Sequence, residues 1–374
     1  MHIGIVVYGD LNQTSGGYLY DRKIVEHLRD RGDRVTVFSQ AERPYPAGLV
    51  DTFDLRFWKE LGTAPLDVLL QDELNHSSLA VGNYWLRRAA DYPIVAIVHH
   101  LRASERRSSI DTLISRQLER LYLQSVQGFV YNSRTTRRAV HDLTDEVSSR
   151  PFTVAPPSGH RFDDPPSESS VAARAKKKGP LRLAFVGNVI PRKRLHLVVE
   201  GLARADTHDW RLDVIGDLAK RPAYVERIRR VIDRYGFGPR ITLHGRVSDD
   251  DLHRLLNRSH ALAVPSAYEG YGIVYVEAMG HGLPVLASPH GGVREVVEAG
   301  RTGVFVRSAS EIASAVDRWA SDRAVLAAMG RNAIRAYRGF PTWDASARRV
   351  ADFLDDLVAS HATAVSDAEP SAFR

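Results

Sequence analysis

The sequence predicts an α/β protein built of two doubly wound, Rossmann-like domains. Three observations carry this. The chain has 374 residues, above the size at which a single core usually divides. Short apolar runs alternate with amphipathic stretches, as a parallel sheet covered on both faces requires. That alternation is broken once, by a Pro-, Ser- and Lys-rich segment, and then restarts.

The opening residues read as strand (2–8), glycine-containing loop (9–17), helix (18–31) stopped by Gly32, and strand (34–38). Further strands are expected at 67–70, 94–98, 128–131 and 152–155, so the first domain spans 1–155. Residues 156–180, with Pro165-Pro166 and Lys176-Lys177-Lys178, read as a linker unable to pack a core. The second domain, 181–340, restarts with a strand at 181–186 and a helix from about Leu195, then strands at 212–215, 241–243, 261–264 and 284–287. A helix within 341–362 carries Ala347, Val350, Phe353, Leu354 and Val358 on one stripe and is expected to pack back toward the first domain, with 363–374 a disordered tail. Open parallel sheets bind ligands at the carboxyl ends of their strands, so the chemistry is expected in those loops, facing one cleft.

Composition narrows the classes. Hydrophobic residues make up 44% and charged residues 26%, ordinary for a globular protein. The absence of cysteine excludes disulfides, thiolate zinc sites and a cysteine nucleophile. No apolar run is long enough to span a bilayer and no secretory signal opens the chain, so a cytoplasmic location is expected. The net charge is +6, and residues 1–155 hold 19 basic and 19 acidic side chains, so the excess lies beyond them. Those cations are scattered and match no nucleic-acid motif, so no nucleic-acid partner is expected.

The most specific segment is Pro265-Ser266-Ala267-Tyr268-Glu269-Gly270-Tyr271-Gly272-Ile273, continuing through Glu277-Ala278-Met279. It follows a strand and opens a helix. Gly270 and Gly272 let backbone amides approach a ligand, and the amides at Tyr271 to Ile273 present partial positive charge to an anion such as a diphosphate. Glu269 and Glu277 can accept hydrogen bonds from hydroxyls but are poor phosphate ligands. A ligand with central phosphates and a polyol on either side, such as a nucleotide sugar, fits both.

The second segment is Gly187-Asn188-Val189-Ile190-Pro191-Arg192-Lys193-Arg194, after the first strand of the second domain. It has one glycine and three consecutive cations, suited to a diphosphate held by charge as well as backbone. Ser15-Gly16-Gly17 before the first helix is another place where bare backbone can approach a ligand. His99 and His100 end the strand at 94–98, and Asp72, Glu73 and His76 follow the one at 67–70.

Glu269 to Glu277, with its trailing Glu-Ala-Met, resembles the paired-glutamate motif of family 4 retaining glycosyltransferases, which have the GT-B architecture of two Rossmann-like domains. The resemblance also covers the glycine loop ending at Gly17, His99, and Gly291-Gly292-Val293-Arg294-Glu295. It implies that Glu269 and His99 contact the transferred sugar, Glu277 the ribose, and Lys193 the diphosphate, with His99, Lys193 and Glu269 forming the catalytic set. Donor contacts are expected at Gly17, Gly187, Asn188, Arg192, Lys193, Arg194, Gly270, Tyr271, Gly272, Ile273 and Glu277. Asp72, Glu73 and His76 are candidates for acceptor contact. The family usually has an arginine where Asn188 stands and a glycine where Arg194 stands. The activity implied is transfer of a hexose from a UDP- or GDP-sugar to a hydroxyl acceptor, without metal or cofactor.

Other readings carry their own discriminators. An epimerase on this architecture would turn over without acceptor, and a non-catalytic nucleotide-sugar-binding subunit, invited by Asn188, would bind without transfer. A nicotinamide dehydrogenase is disfavoured because neither glycine loop has dinucleotide spacing. Asp249-Asp250-Asp251 resembles a metal cluster, but Ser248 and the following Leu252, Leu255 and Leu256 make it a capped helix start. Residues 104–122 form an amphipathic stretch with Ile110, Leu113, Ile114, Leu118 and Leu121 on one stripe; it is read as a helix covering the sheet, with a peripheral contact to the inner membrane face as the alternative.

Overall fold

The computed structural model describes residues 1–13, 15–41, 43, 47–104, 109–162 and 165–368. The chain divides into two compact units, Met1–Pro157 with Trp343–Arg374, and Ser158–Thr342.

In the first unit the order is β1 (His2–Tyr8), α1 (Gly16–Asp30), β2 (Arg34–Gln40), α2 (Leu55–Thr63), β3 (Val68–Asp72), α3 (His76–Ala89), β4 (Ile94–Val98), α4 (Ser109–Ser125), β5 (Gly128–Tyr131), α5 (Arg134–Leu143) and β6 (Phe152–Val154). The strands form one six-stranded sheet in the order β2-β1-β3-β4-β5-β6, every pair parallel. Alternate strand residues face opposite ways. Ile3, Ile5 and Val7 of β1 join α1 (Tyr20, Ile24, Leu28) in one core, while Val6 joins Trp58 of α2, Leu79 of α3 and Tyr122 of α4 in the other.

The second unit runs α6 (Glu168–Lys176), β7 (Leu181–Val186), α7 (Leu195–Arg204), β8 (Trp210–Ile215), α8 (Pro222–Arg234), β9 (Ile241–Gly245), α9 (Asp249–Arg258), β10 (Ala261–Val264), α10 (Ile273–Gly280), β11 (Val285–Ala287), α11 (Val293–Val296), β12 (Gly303–Phe305), α12 (Ala309–Ser321) and α13 (Arg323–Tyr337). Its sheet is β12-β11-β10-β7-β8-β9, again wholly parallel. The edge strand β12 has three residues, too short to show a period in sequence.

Three local readings change. Part of the expected linker is helix α6, capped by the Ser167 side chain on the Ser170 amide, and it buries Val171 and Ala175 in the second core. The Val171 methyls lie where a Cβ on Gly282 or Gly330 would stand. Helix α14 (Trp343–Ala368) runs past the expected start of the tail, and 369–374 lie outside the described residues. It returns to the first unit, where Val350, Ala351, Leu354 and Leu357 complete the core behind β1, and Arg31 meets Asp355 at 2.7 Å. In α4 the apolar stripe does not cover the sheet: Leu113, Ile114 and Leu121 are exposed, while Ser115, Glu119, Tyr122 and Leu123 are buried. Ile110, Arg106 and Arg107 lie outside the described side chains.

Among the described residues no helix is long and apolar enough to cross a membrane.

Candidate functional site

Strands β7 and β10 are neighbours in the second sheet, which sets the loops after them side by side. The backbone fastens them, with the Ala267 amide donating to the Arg192 carbonyl at 2.8 Å. Across this junction Lys193 Nζ donates to Glu269 Oε1 at 2.6 Å, and Arg192 reaches Glu269 Oε2 at 3.4 Å and the Tyr268 carbonyl at 2.7 Å. Burial raises the Glu269 carboxyl, but Lys193 and Arg192 outweigh it and hold the group at about 2. Glu269 is therefore an ionised carboxylate whose charge balances two cations in an interior position.

Glycines let these loops close up. Gly187 has φ 138°, and a Cβ there would stand 3.4 Å from Lys193 Cε. Gly216, after β8, has φ 145°, and its Cβ would strike the Gly187 carbonyl oxygen at 2.1 Å. Gly291 forms a bridge with Glu269, the Gly292 amide donates to the Glu269 carbonyl at 2.9 Å, and a side chain on Gly291 would collide with that carbonyl. Gly272, at φ 98°, is the N-cap of α10. Tyr271 is buried, and Ile273 opens the helix. Arg194 occupies the left-handed region at φ 55°, alone among the described non-glycine residues. The conformation for which the family uses glycine is thus kept here by an arginine. Asn188 closes a tight turn, its carbonyl accepting from the Ile190 amide.

Glu277 lies in the second turn of α10. Burial raises its carboxyl, opposed by Arg161, whose Nη1 stands 3.4 Å from Glu277 Oε1 and whose Nη2 donates to Asp249 at 2.5 Å. Arg161 had no motif around it to nominate it. The one legible sign was Gly159, where a Cβ would stand 2.7 Å from the Glu277 amide nitrogen. Asp249 does open α9, with the Ser248 cap accepting from the Asp251 amide.

In the first unit, His99 Nε2 lies 3.0 Å from Asp21 Oδ1 and 3.8 Å from Asp72 Oδ1. The ring packs against Gly17, where a Cβ would stand 3.4 Å from its Cδ2, and takes the edge of Tyr20 at 5.5 Å. Burial lowers the imidazole, but the charge and hydrogen bond of Asp21, with Asp72 and Glu73 beyond, push it up to about 9. Burial and the Asp21 charge push Asp72 up to about 8. Asp21, inside α1, was not singled out from sequence because one acid in a helical pattern reads as solvated.

The candidates for acceptor contact lie inside the first unit. Asp72, Glu73 and His76 are all buried. Asp72 backs His99, while His76 Nδ1 lies 2.9 Å from the Glu73 carbonyl and 3.3 Å from its carboxylate. Glu119 of α4 completes that second cluster and accepts from the Arg102 and Ala103 amides. The apolar run of β3 carries its following residues inward. In each group, Asp21-Asp72-His99 and Glu73-His76-Glu119, three potential ligand atoms lie within 4.8 Å of one another, and both read as hydrogen-bonded networks.

Two parallel Rossmann-like sheets with a lysine-glutamate junction before a glycine-capped helix are the fold and motif set of a glycosyltransferase. The family model described as "Glycosyl transferases group 1" matches residues 167–336. D-inositol 3-phosphate glycosyltransferase of Corynebacterium diphtheriae is 26% identical, over 92% of this chain and 90% of its own. Among solved structures, sucrose-phosphate synthase from Thermosynechococcus elongatus superposes with a TM-score of 0.81 at 20% identity, over 96% of this chain and 99% of its own. Anabaena HepE in complex with UDP and glucose gives 0.73 at 19%, over 94% and 99%. The fold is GT-B, and residues 167–336 match the group 1 glycosyl transferases; the chain is a retaining glycosyltransferase that uses a nucleotide-sugar donor.

Proposed function

We propose that the enzyme moves a hexose from a UDP- or GDP-sugar to a hydroxyl acceptor without a metal ion. The observation that carries this is the Lys193-Glu269-Arg192 junction, buried, charged and set beside the N-terminus of α10. In this reading Lys193, Arg192 and the amides at Gly270 to Ile273 stabilise the negative charge that grows on the leaving diphosphate, and Glu269 meets the sugar hydroxyls. Glu277, steadied by Arg161, accepts from the ribose. Arg194 and the backbone at Gly187 and Asn188 complete the phosphate contacts.

Asn188 leaves the loop one arginine short of the family pattern, and the guanidinium of Arg192 at Glu269 supplies a charge in its place. This supports catalysis over a purely binding subunit. By the resemblance, His99 contributes the sugar contact of the first unit and Gly17 bare backbone toward the donor; Asp21 and Asp72 favour a cationic ring able to donate to a hydroxyl. The acceptor hydroxyl attacks on the face the diphosphate leaves, and the diphosphate takes its proton, which preserves the anomeric configuration. HepE, solved with UDP and glucose, supports a uridine donor.

The test is calorimetric titration with UDP, GDP, ADP and their glucose conjugates in the presence of a chelator, beside Lys193→Ala and Glu277→Ala. Binding of one nucleotide, weakened in both variants, is expected. Binding to none, or binding that needs a divalent ion, would overturn the reading.

A further inference from the structure

Helix α4 turns its apolar stripe to solvent while its inner face buries a glutamate. Leu113 is 61% exposed, with Ile114 and Leu121 beside it on the outer side. Neighbouring α3 does the same: Val81, Tyr84 and Trp85, at helical spacing, form its outer stripe, and Trp85 is 45% exposed. Both helices lie on the same face of the first sheet, because Leu79 and Leu86 of α3 and Tyr122 and Leu123 of α4 share one core. Phe53 and Leu55, 74% and 76% exposed at the start of α2, extend this layer through the packing of Trp58 over Gly82. Eight large apolar side chains outside one layer of helices exceed what a solvated surface carries by chance.

The charges on these helices are almost all of one sign. Arg56 and Lys59 on α2, Arg87 and Arg88 on α3, and Arg116 on α4 are exposed, against Glu60 as the exposed acid among the described side chains of those three helices, while Arg120 of α4 is paired with Glu146 at 2.5 Å. An indole and a phenol beside leucines, flanked by arginines, is the composition that settles at the boundary between headgroups and acyl chains. A second copy of this chain would bring the same cations face to face.

We propose that the outer face of α2, α3 and α4 docks on an anionic lipid bilayer, inserting Trp85, Tyr84 and Leu113 among the headgroups while the arginines pair with lipid phosphates. This goes beyond the transfer reaction and does not depend on it, since binding to vesicles needs neither donor nor acceptor.

The experiment is co-sedimentation of the full chain with vesicles of phosphatidylglycerol mixed equally with phosphatidylcholine, and with phosphatidylcholine alone. Binding to the anionic vesicles is expected to weaken about tenfold or more in Tyr84→Ser/Trp85→Ser/Leu113→Ser and in Arg87→Glu/Arg88→Glu, and with added salt. Melting temperature and nucleotide binding should stay unchanged in both variants. If a variant unfolds, quenching of wild-type tryptophan fluorescence by brominated lipid, lost in Trp85→Phe, supports the same conclusion. Absence of vesicle binding, binding untouched by either variant, equal affinity for neutral vesicles, or a concentration-dependent dimer abolished by the apolar triple variant would each overturn the proposal.

Discussion

Arg194 carries a backbone conformation that an L-residue adopts at a cost. A left-handed residue with a Cβ is disfavoured by roughly 1–2 kcal/mol, part of which glycine recovers before its own entropy is charged. Arg194→Gly is therefore expected to stabilise the protein by about 0.5–1 kcal/mol in urea unfolding; a loss of stability would mean the guanidinium makes contacts that outweigh the strain. Glu269 is the opposite case. Removing it leaves Lys193 and Arg192 facing each other in a buried site, so Glu269→Ala should cost about 3 kcal/mol as well as activity. A variant equally stable but inactive would assign the residue to the sugar alone. The second-domain motif was legible because glycines and charges at fixed spacing leave few alternatives. Asp21 and Arg161 were not, because each meets its partner only after the chain has folded back, 78 and 116 residues away in sequence.

At the scale of elements, strand positions were readable because a parallel sheet buried on both faces demands continuous apolar runs, whereas α6 hid in a segment whose proline and lysine content suggested a linker. The two helices α2 and α3 meet at Gly82, where a Cβ would stand 1.8 Å from the Trp58 ring. Gly82→Ala should thus cost about 1–3 kcal/mol despite the better helix propensity of alanine, measurable by thermal melting. In α4 the expectation runs the other way. A core leucine truncated to alanine costs about 2–5 kcal/mol, but Leu113→Ala should change stability by no more than about 0.5 kcal/mol because the side chain is already in water. A core-sized loss would put the stripe back against the sheet. Periodicity shows that a helix has an apolar side; it does not say what that side faces.

For the whole molecule, the two units should respond to pH in opposite directions. In the first, His99 at about 9, Asp72 at about 8 and Glu119 at about 7 all lie above their unfolded values. A raised value means the folded state holds the proton more tightly, so each contribution is full below the unfolded value, about 4 for the two acids and about 6.5 for His99, and drains away as pH rises from there to the folded value, the histidine's last of all. In the second, burial lowers His260 to about 4 and His281 to about 3, and the folded state resists protons that the unfolded chain accepts below about 6.5. Calorimetric scans should show one transition moving down in alkali and another in acid, and Asp72→Asn should flatten the alkaline arm. Transitions that shift together would contradict the assignment.

The return of α14 to the first unit has a consequence for the order of assembly. Between Pro157 and Trp343 the polypeptide builds the entire second unit, so that unit is an insertion in the sequence of the first. Ile3, Ile5 and Leu70 cannot find their last neighbours until the chain has passed Leu357. On a ribosome the second unit is free to fold while the first waits with one side of its sheet open, the condition in which chaperones bind and proteases cut. Removing 343–368 should leave a chain that still folds its second unit but cannot close its first, a division of labour invisible from either sheet alone.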